Sequence, residues 1–600
     1  MESKVLTQAN FIKMRRREQG VAIKQLCKGL CSESTLQYYE KGKRSITNEL
    51  LNRIMERLGV GVEDYEQYVD NDTYQCWEAR MDIIYGLAAG DYASVNNYLS
   101  VFKEEYAGKH EFERQFYLRM KAMYLACTEG DVAEIAKCLK EAIAITVPTI
   151  EAEQLGETWL SVQEIDMILD YYWYAERKPE HFLALAQYCK ERNGDNEFKS
   201  KTLPKAVYYY YCSVKETFST MSELELLSVE EWLSVALEEV RTRGTMMEMW
   251  EILIGQREVF RCLEKYFRGD EKFISKQSEN NLEIESLLWL EKETGLEKET
   301  TNTAIYYAIR GVYNVADVIR RRRKMLHMSV EQLTAGILDE KTIRRIETGA
   351  VKGRQENLEL IFEGLKLPTP MIKSEYLISN MREKELIGKL AKAMEGGGVE
   401  EAKQVMLYLN NEIDEETLYN KQRFAWDWAR LNRKSGDTEK FYENVCRVIK
   451  MSVPLDSFYE DIRYFTHNEL LYYKSLANHT ENKVRFVEYL ERYYENNYGT
   501  AQEINEAGIM ESVLDTVQCI YGNLGLFEES NRCCQQILRI VRVNKFLYSA
   551  IDTRYALWWN DYEEKKTTDI TPLSYLKTLS ELIYDKASAD FYQRKIDSLS

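Results

Sequence analysis

The chain aligns with itself without a gap when one half is shifted by 307 residues. The shift pairs Arg15, Arg16, Gln25, Leu26, Gly29, Thr35, Glu40, Gly42, Leu51, Ile54, Glu56 and Leu58 with Arg322, Arg323, Gln332, Leu333, Gly336, Thr342, Glu347, Gly349, Leu358, Ile361, Glu363 and Leu365. At nearly the same shift, AITVP ending at Pro148 matches KMSVP ending at Pro454, and Gly130-Asp131 matches Gly436-Asp437. We therefore expect a tandem duplication of a half-chain unit.

Apolar residues recur at helical spacing along most of the chain. The stretches YLRMKAMYLACTEGDVAEIAKCLKEAIAI (117–145), FAWDWARLNRKSGDTEKFYENVCRVIKM (424–451) and VLDTVQCIYGNLGLFEESNRCCQQILRI (513–540) each contain two such runs around a Gly-containing turn. This pattern predicts helical hairpins. Hairpins in series stack into a solenoid, and these resemble tetratricopeptide-type repeats, with a generic helical array as the alternative.

Composition favours an all-α, multidomain, cytoplasmic protein. The 600 residues include only 7 Pro, and that length implies several cores. No apolar run reaches the roughly 18 to 20 residues of a membrane span, and the N-terminus lacks a secretory signal. The 12 Cys and 5 His are scattered, so we expect reduced core thiols, no metal and no cofactor.

The net charge of −18 hides two basic segments. Residues 10–60, the first basic segment, hold 11 Lys and Arg against 5 Asp and Glu, a net +6. Residues 318–368, the second basic segment, hold 11 against 7, a net +4, so the rest of the chain carries −28. Such basic islands in an acidic body suit two DNA-binding elements.

The sequence of the first basic segment predicts four short helices. Ser32 is suited to cap the third, Leu36 and Tyr39 face inward, and Gly42 ends that helix. The pattern LxxGxxSxSTLxxxExGKR, from Leu26 to Arg44, resembles the helix-turn-helix domain of the Xre/Cro repressor family. EQLTAGILDEKTIRRIETGAVKGRQENLELIFEGLKL in the second segment looks similar, and its RIETGAV stretch resembles that of peptide-sensing Rgg/PlcR-type regulators.

The resemblance nominates DNA-contacting residues on each third helix. Base readers are expected in the first two turns: Glu33, Ser34, Thr35, Gln37 and Tyr38 in the first segment, and Glu340, Lys341, Thr342, Arg344 and Arg345 in the second. The residues expected on phosphates are Lys41, Lys43, Arg44, Lys352 and Arg354. The family also pairs an Arg of its first helix with a Glu of its third, which implies structural ion pairs Arg16–Glu40 and Arg323–Glu347. Where the family commonly has Ser-Arg-Ile, this chain has Gln37-Tyr38-Tyr39, which puts base reading by the first segment in doubt.

These features predict a sequence-specific transcription regulator with helix-turn-helix domains at 1–69 and 315–378. Helical-repeat regions at 70–314 and 379–600 would sense a short peptide or protein, as the resemblance implies. The expected partners are double-stranded DNA and that ligand, with no membrane, and the sequence leaves a homodimer open. The alternative is a protein-interaction scaffold whose basic segments no longer bind DNA. No residue constellation supports an enzyme active site.

Overall fold

The computed structural model is nearly all-α, as predicted. It describes residues 8–59, 66–147, 149, 156–192, 196–296, 302–334, 339–368, 376–378, 380–395, 398–413, 417–454, 464–477, 479–497 and 499–600. Two positions of the self-alignment, Pro148 and Gly336, lie outside the described residues. Among the described helices, none is both long and apolar enough to cross a membrane.

Four helices span each basic segment. In the first they are α1 (Gln8–Glu18), α2 (Ile23–Cys27), α3 (Glu33–Glu40) and α4 (Asn48–Arg57). In the second they are α15 (Val315–Met325), α16 (Val330–Thr334), α17 (Glu340–Glu347) and α18 (Gln355–Gly364). Every helix of the second set begins and ends 307 residues after its counterpart.

The other helices follow each set in chain order. The first group is α5 (Asn71–Ala89), α6 (Tyr92–Glu105), α7 (Glu111–Cys127), α8 (Val132–Thr146), α9 (Val162–Ala175), α10 (Pro179–Glu191), α11 (Asn196–Val214), α12 (Glu223–Arg243), α13 (Met249–Leu263) and α14 (Glu271–Thr294). The second group is α19 (Met381–Glu395), α20 (Val399–Glu412), α21 (Leu418–Lys434), α22 (Thr438–Lys450), α23 (His467–Lys474), α24 (Lys483–Asn497), α25 (Thr500–Asn505), α26 (Ala507–Asn523), α27 (Phe527–Asn544), α28 (Leu547–Glu563), α29 (Thr571–Leu582) and α30 (Lys586–Leu599).

The chain divides into two compact units, each assembled from separate stretches of sequence. Unit I comprises Met1–Arg15, Val60–Glu78 and Ile309–Ile520, and it contains the second basic segment. Unit II comprises Arg16–Gly59, Ala79–Ala308 and Tyr521–Ser600, and it contains most of the first. Division of the sequence at residues 69, 314 and 378 stays a prediction.

Unit I contains a two-stranded parallel sheet that the all-α prediction missed. Strand β1 (Gln67–Val69) pairs with β2 (Val312–Asn314), with Tyr68 opposite Tyr313. The two tyrosine rings stack with their centroids 5.4 Å apart. Three-residue strands separated by more than 240 residues leave too short a period-2 pattern to be recognised in the sequence.

The predicted helical hairpins at residues 117–145 and 424–451 are confirmed. α7 packs against α8, and α21 packs against α22. Asp131 caps α8 and Asp437 caps α22. Each hairpin is also joined by a buried amide on its first helix: Gln115 donates to the Ala142 carbonyl at 2.9 Å, and Gln422 donates to the Val448 carbonyl at 3.0 Å.

In unit II, the buried Arg57 at the end of α4 joins the first basic segment to the helices behind it. Its guanidinium donates to both carboxylate oxygens of Glu164 on α9, at 2.7 and 3.0 Å. It also donates to the carbonyls of Leu26, Lys28 and Thr146 at 2.7 to 3.0 Å. All five N–H groups of the Arg57 guanidinium donate to acceptors inside the protein, so none is left to contact DNA.

Unit I contains the same kind of pair, but the arginine comes from a different helix. Arg322 on α15 donates to both carboxylate oxygens of Glu469 on α23, each at 2.7 Å, and to the Leu365 carbonyl at 3.0 Å. The residue at the position of Arg57 is Gly364 in this segment. The two arginines thus bind the start of corresponding helices, α9 and α23, from non-equivalent helices of their segments, α4 and α15.

The pair with Arg322 makes unit I sensitive to acid. Burial alone would raise the pKa of Glu469, but the charge of Arg322 and its hydrogen bonds outweigh burial and lower the pKa. The pKa of a glutamate in an unfolded chain is about 4.3. The stabilisation by the pair is therefore complete above that pH, and it is lost as the pH falls through the lowered pKa of the folded state.

We predict that Arg322→Met destabilises the second basic segment by about 3 to 5 kcal/mol, because Glu469 is left charged and buried without a cation. Hydrogen-exchange mass spectrometry should show peptides from α15, α18 and α23 exchanging about 100-fold faster or more. The matched control is Arg320→Met on the same helix, since Arg320 is half exposed and its pair with Asp317 lies at the surface. A surface pair contributes about 0 to 1 kcal/mol. Equal effects of the two changes would contradict the role assigned to Arg322.

Candidate DNA-binding interface

Helix α3 of the first basic segment turns a polar face outward. The Ser32 hydroxyl accepts from the Thr35 amide at 3.2 Å, which confirms the predicted N-cap. Leu36 and Tyr39 are buried in the core. The predicted base readers on the outer face, Glu33, Ser34, Gln37 and Tyr38, are all exposed, whereas Thr35 is half-buried beside the cap.

Three cations follow α3 directly. Lys41, Lys43 and Arg44 are all exposed, and Gly42 between them adopts a left-handed φ of +65°. A left-handed residue at the end of a helix turns the chain sharply. After the turn, the Lys43 amide donates to the Tyr38 carbonyl, and Arg44 Nη1 lies 3.5 Å from Thr35 Oγ1 of α3.

Arg16 and Glu40 form a two-pronged ion pair between α1 and α3. The Arg16 Nε donates to Glu40 Oε1 at 2.7 Å, and its Nη2 donates to Oε2 at 2.8 Å. The third prong, Nη1, donates to the Val21 carbonyl at 2.9 Å. Glu40 is buried, so its negative charge does not face the predicted DNA surface.

Helix α17 of the second basic segment presents a more basic face. Ile343 and Ile346 are buried in the core of the segment, together with Val318, Ile319, Leu333 and Phe362. Lys341, Arg344 and Arg345 are exposed. Arg344 lies 3.3 Å from Glu340 one turn earlier, and an exposed pair of this kind is weak enough to open for another anion.

Arg323 and Glu347 reproduce the ion pair of the first segment. Arg323 donates to the two Glu347 oxygens at 2.6 and 3.2 Å and to the Met328 carbonyl at 2.8 Å. Asp339, which the sequence analysis did not single out, caps α17 by accepting from the Thr342 amide at 3.0 Å and the Thr342 hydroxyl at 2.6 Å. Thr342 is thereby committed to the start of the helix. The spacing Asp-x-x-Thr before an apolar-periodic run was the signal that could have identified it.

The two predicted phosphate contacts of the second segment differ in their surroundings. Lys352 is 73% exposed, but its ammonium lies 2.5 Å from a carboxylate oxygen of Asp70 in the same unit. A phosphate would have to compete with Asp70 for this cation. Arg354 is exposed at the N-cap of α18. Of the two, Arg354 is the better placed for DNA.

Four of the arginines behind the basic excess serve the fold. Arg57 and Arg322 are fully buried, and Arg16 and Arg323 are mostly buried in their ion pairs. The exposed cations of the two segments include those on and after α3 and α17, and also Arg17, Lys24, Arg320 and Lys324 on or next to the first two helices of each segment. Charge counting alone overstated the number of exposed cations.

Within the described part of the chain, no group of three or more His, Cys, Asp or Glu side chains is placed to hold a metal ion. All twelve cysteines are reduced thiols. Most are buried or half-buried, as expected, but Cys519 is exposed, so its assignment to the core is wrong.

Comparison with known proteins finds a family model that matches the first basic segment. Residues 12–65 match the family model described as helix-turn-helix. A search of curated proteins finds no match to the chain. The matched range contains α2, α3 and α4, the Ser32 cap and the Arg16–Glu40 pair. Residues 12–65 therefore form an Xre-type helix-turn-helix domain within a helical protein.

Proposed function

We propose that the chain is a sequence-specific DNA-binding transcription regulator that uses both basic segments. The helix-turn-helix domain at 12–65 suggests DNA binding and transcription regulation in general terms. The proposal that the chain reads a specific DNA sequence depends on the outward face of α17. There Lys341, Arg344 and Arg345 are exposed, and on the opposite face Ile343 and Ile346 are buried in the core.

The second basic segment, in this proposal, is a tandem copy of the first. Two observations support this. The start and end of each of the four helices recur 307 residues later, and the ion pair Arg16–Glu40 recurs as Arg323–Glu347. The paired amides Gln115 and Gln422 extend the correspondence beyond the basic segments. The domain divisions 1–69, 70–314, 315–378 and 379–600 belong to the same proposal.

The outer faces of α3 and α17 have different roles in DNA recognition. Arg344 and Arg345 have the planar, two-donor geometry that reads guanine, whereas Gln37 and Tyr38 on α3 have fewer fixed donors. Lys41, Lys43, Arg44 and Arg354 contact phosphates, which sets affinity and salt dependence. The second segment is therefore the principal reader of sequence, and the first contributes mainly affinity.

The helices outside the basic segments serve as the sensing part. Hairpins such as α7–α8 and α21–α22 have the helix–turn–helix form of tetratricopeptide-like repeats. Such repeats bind extended polypeptides along their surfaces. We include a peptide or protein ligand of these helices in the proposal.

The first test is selection of genomic DNA fragments by the purified chain and by the double variant Arg344→Ala/Arg345→Ala. The wild type should enrich a shared sequence. The variant should lose or relax it, because each two-pronged guanine contact contributes about 1 to 3 kcal/mol of discrimination. The readout is the enriched motif and the affinity for it.

A matched control removes two exposed cations outside both segments, Arg268→Ala/Lys272→Ala. This control should enrich the same sequence as the wild type. If the wild type enriches nothing and does not bind DNA at low salt, the regulator proposal fails and the protein-interaction scaffold replaces it.

A second prediction concerns the cations after α3. Lys41→Ala/Lys43→Ala/Arg44→Ala should reduce the slope of log Kobs against log[salt] by up to about 0.9 for each phosphate that the protein no longer neutralises, with the preferred sequence unchanged. Electrophoretic or anisotropy titrations at four salt concentrations measure the slope. The triple change Lys265→Ala/Arg268→Ala/Lys272→Ala alters the net charge equally and should leave the slope unchanged. An altered sequence preference in the first variant would show that these residues read bases.

A further inference from the structure

Each unit has a pocket at the junction between its basic segment and the first helices behind it. The two pockets are lined at corresponding positions: Arg53, Gln115, Ser161, Gln163, Glu164 and Met167 in unit II, and Leu360, Gln422, Thr466, Asn468, Glu469 and Tyr472 in unit I. The offset within these pairs is 305 or 307 residues. As far as the described residues show, the unit II pocket is closed and the unit I pocket is open.

The unit II pocket is filled by a segment of the chain itself. Tyr307, also part of its lining, is only 5% exposed, and its hydroxyl lies 2.7 Å from Asp166 Oδ2 and 2.9 Å from Arg119 Nε. The Gln163 amide donates to the backbone carbonyl of Tyr306 at 2.8 Å. Arg53 closes the rim, with its guanidinium over the Phe112 ring at 5.3 Å. The remaining cavity is about 10 Å³.

The unit I pocket is a groove of about 800 Å³, which we name the α18 groove. The position of Arg53 is taken by Leu360, which is 45% exposed, and the position of Phe112 is taken by Tyr419. Leu367, Leu377 and Leu418 extend the apolar lining. A cavity of this size accommodates several side chains of a bound polypeptide.

The positions that hold the Tyr307 hydroxyl in unit II carry apolar residues in unit I. The residues at the positions of Arg119 and Asp166, which hold the Tyr307 hydroxyl in unit II, are Trp426 and Leu471. A hydroxyl at that depth would therefore lack those charged partners, and an apolar side chain is favoured. At the lip, Asn468 has an amide where Gln163 binds a backbone carbonyl in unit II. One N–H of this amide donates to the Tyr419 hydroxyl at 2.9 Å, and an amide carries a second N–H that a bound backbone can use.

The rim of the groove is acidic. Glu356, Glu359 and Glu363 lie on α18 at helical spacing, are all exposed, and line the groove together with Lys366. The rim charge is thus −2 over about two turns of helix. This acidity would repel DNA and attract a cationic partner.

We propose that the α18 groove binds an extended polypeptide segment carrying an apolar side chain flanked by Lys or Arg. The apolar side chain occupies the space that Tyr307 fills in unit II, the Asn468 amide donates to the backbone of the segment, and the α18 carboxylates pair with its cations. This inference rests on the proposed tandem duplication and names the ligand class of the proposed regulator. The binding site is formed by a basic segment and its own helices, so occupancy acts directly on α18.

The test uses three fluorescein-labelled hexapeptides with the intact chain: Lys-Leu-Phe-Lys-Leu-Lys, Glu-Leu-Phe-Glu-Leu-Glu and Lys-Ser-Ser-Lys-Ser-Lys. Fluorescence anisotropy should show saturable binding of the first peptide alone. Leu360→Lys should weaken that binding at least tenfold, because a cation replaces the apolar rim and repels the peptide. The double change Glu356→Lys/Glu363→Lys should weaken it similarly and allow the acidic peptide to bind.

The matched control is Leu407→Lys, an exposed leucine of the same unit that is outside the groove lining. It should leave peptide binding unchanged. Equal binding of all three peptides, no binding of the first peptide, or an unchanged affinity in Leu360→Lys would overturn the proposal. Concentration-dependent dimers that Leu360→Lys abolishes would also overturn it, in favour of a second copy as occupant. DNA binding is also measured without peptide. If the chain binds DNA but fails the peptide tests, the groove proposal is overturned and the regulator proposal stands.

Discussion

The buried arginine–glutamate pair behind each basic segment is the constraint on which the rest of the structure depends. Arg57–Glu164 and Arg322–Glu469 each place a full charge pair away from water, and such pairs are tolerated only when geometry and hydrogen bonding are nearly complete. Each arginine meets that condition with a two-pronged contact to its carboxylate and further bonds to backbone carbonyls. The partner glutamate sits in the first turn of α9 or α23 within a capping box. The pair therefore fixes the start of a repeat helix to the four-helix segment in front of it.

This arrangement separates the chain's cations by role. Arginines that point inward hold helices together, and the cations of α3, α17 and the turns after them that are exposed form the surfaces proposed to contact DNA. The acidic residues follow the same division: Glu40 and Glu347 are buried in ion pairs, whereas Glu356, Glu359 and Glu363 face the α18 groove. In the proposed function, the second basic segment carries a basic surface for DNA and an acidic surface for a ligand at once. The role of a charged residue depends on whether its neighbours bury it in an ion pair or leave it exposed, and the net charge of a segment does not distinguish the two cases.

The features of the fold that depend on residues close together in the chain could be predicted from the sequence. The Ser32 cap, the Gly-Asp turns and the inward Leu36 follow from helical periodicity and capping chemistry. The ion pairs Arg16–Glu40 and Arg323–Glu347 were implied by the family resemblance. The burial of Arg57 could not be predicted, since its partner is 107 residues away and the corresponding residue, Gly364, breaks the repeat. The parallel pairing of β1 with β2 and the Asp70–Lys352 contact are non-local for the same reason. The open α18 groove became visible only by comparison with its filled counterpart.

In the proposed function, α17 is the principal reader of DNA sequence and both basic segments contribute affinity. The most direct measurement is hydroxyl-radical footprinting of the intact chain on an enriched DNA fragment, compared with the footprint of Arg344→Ala/Arg345→Ala. The account predicts two protected stretches for the wild type, one of which disappears in the variant while the other persists. A single protected stretch that the variant leaves intact would contradict it, because DNA binding would then belong to residues 12–65 alone.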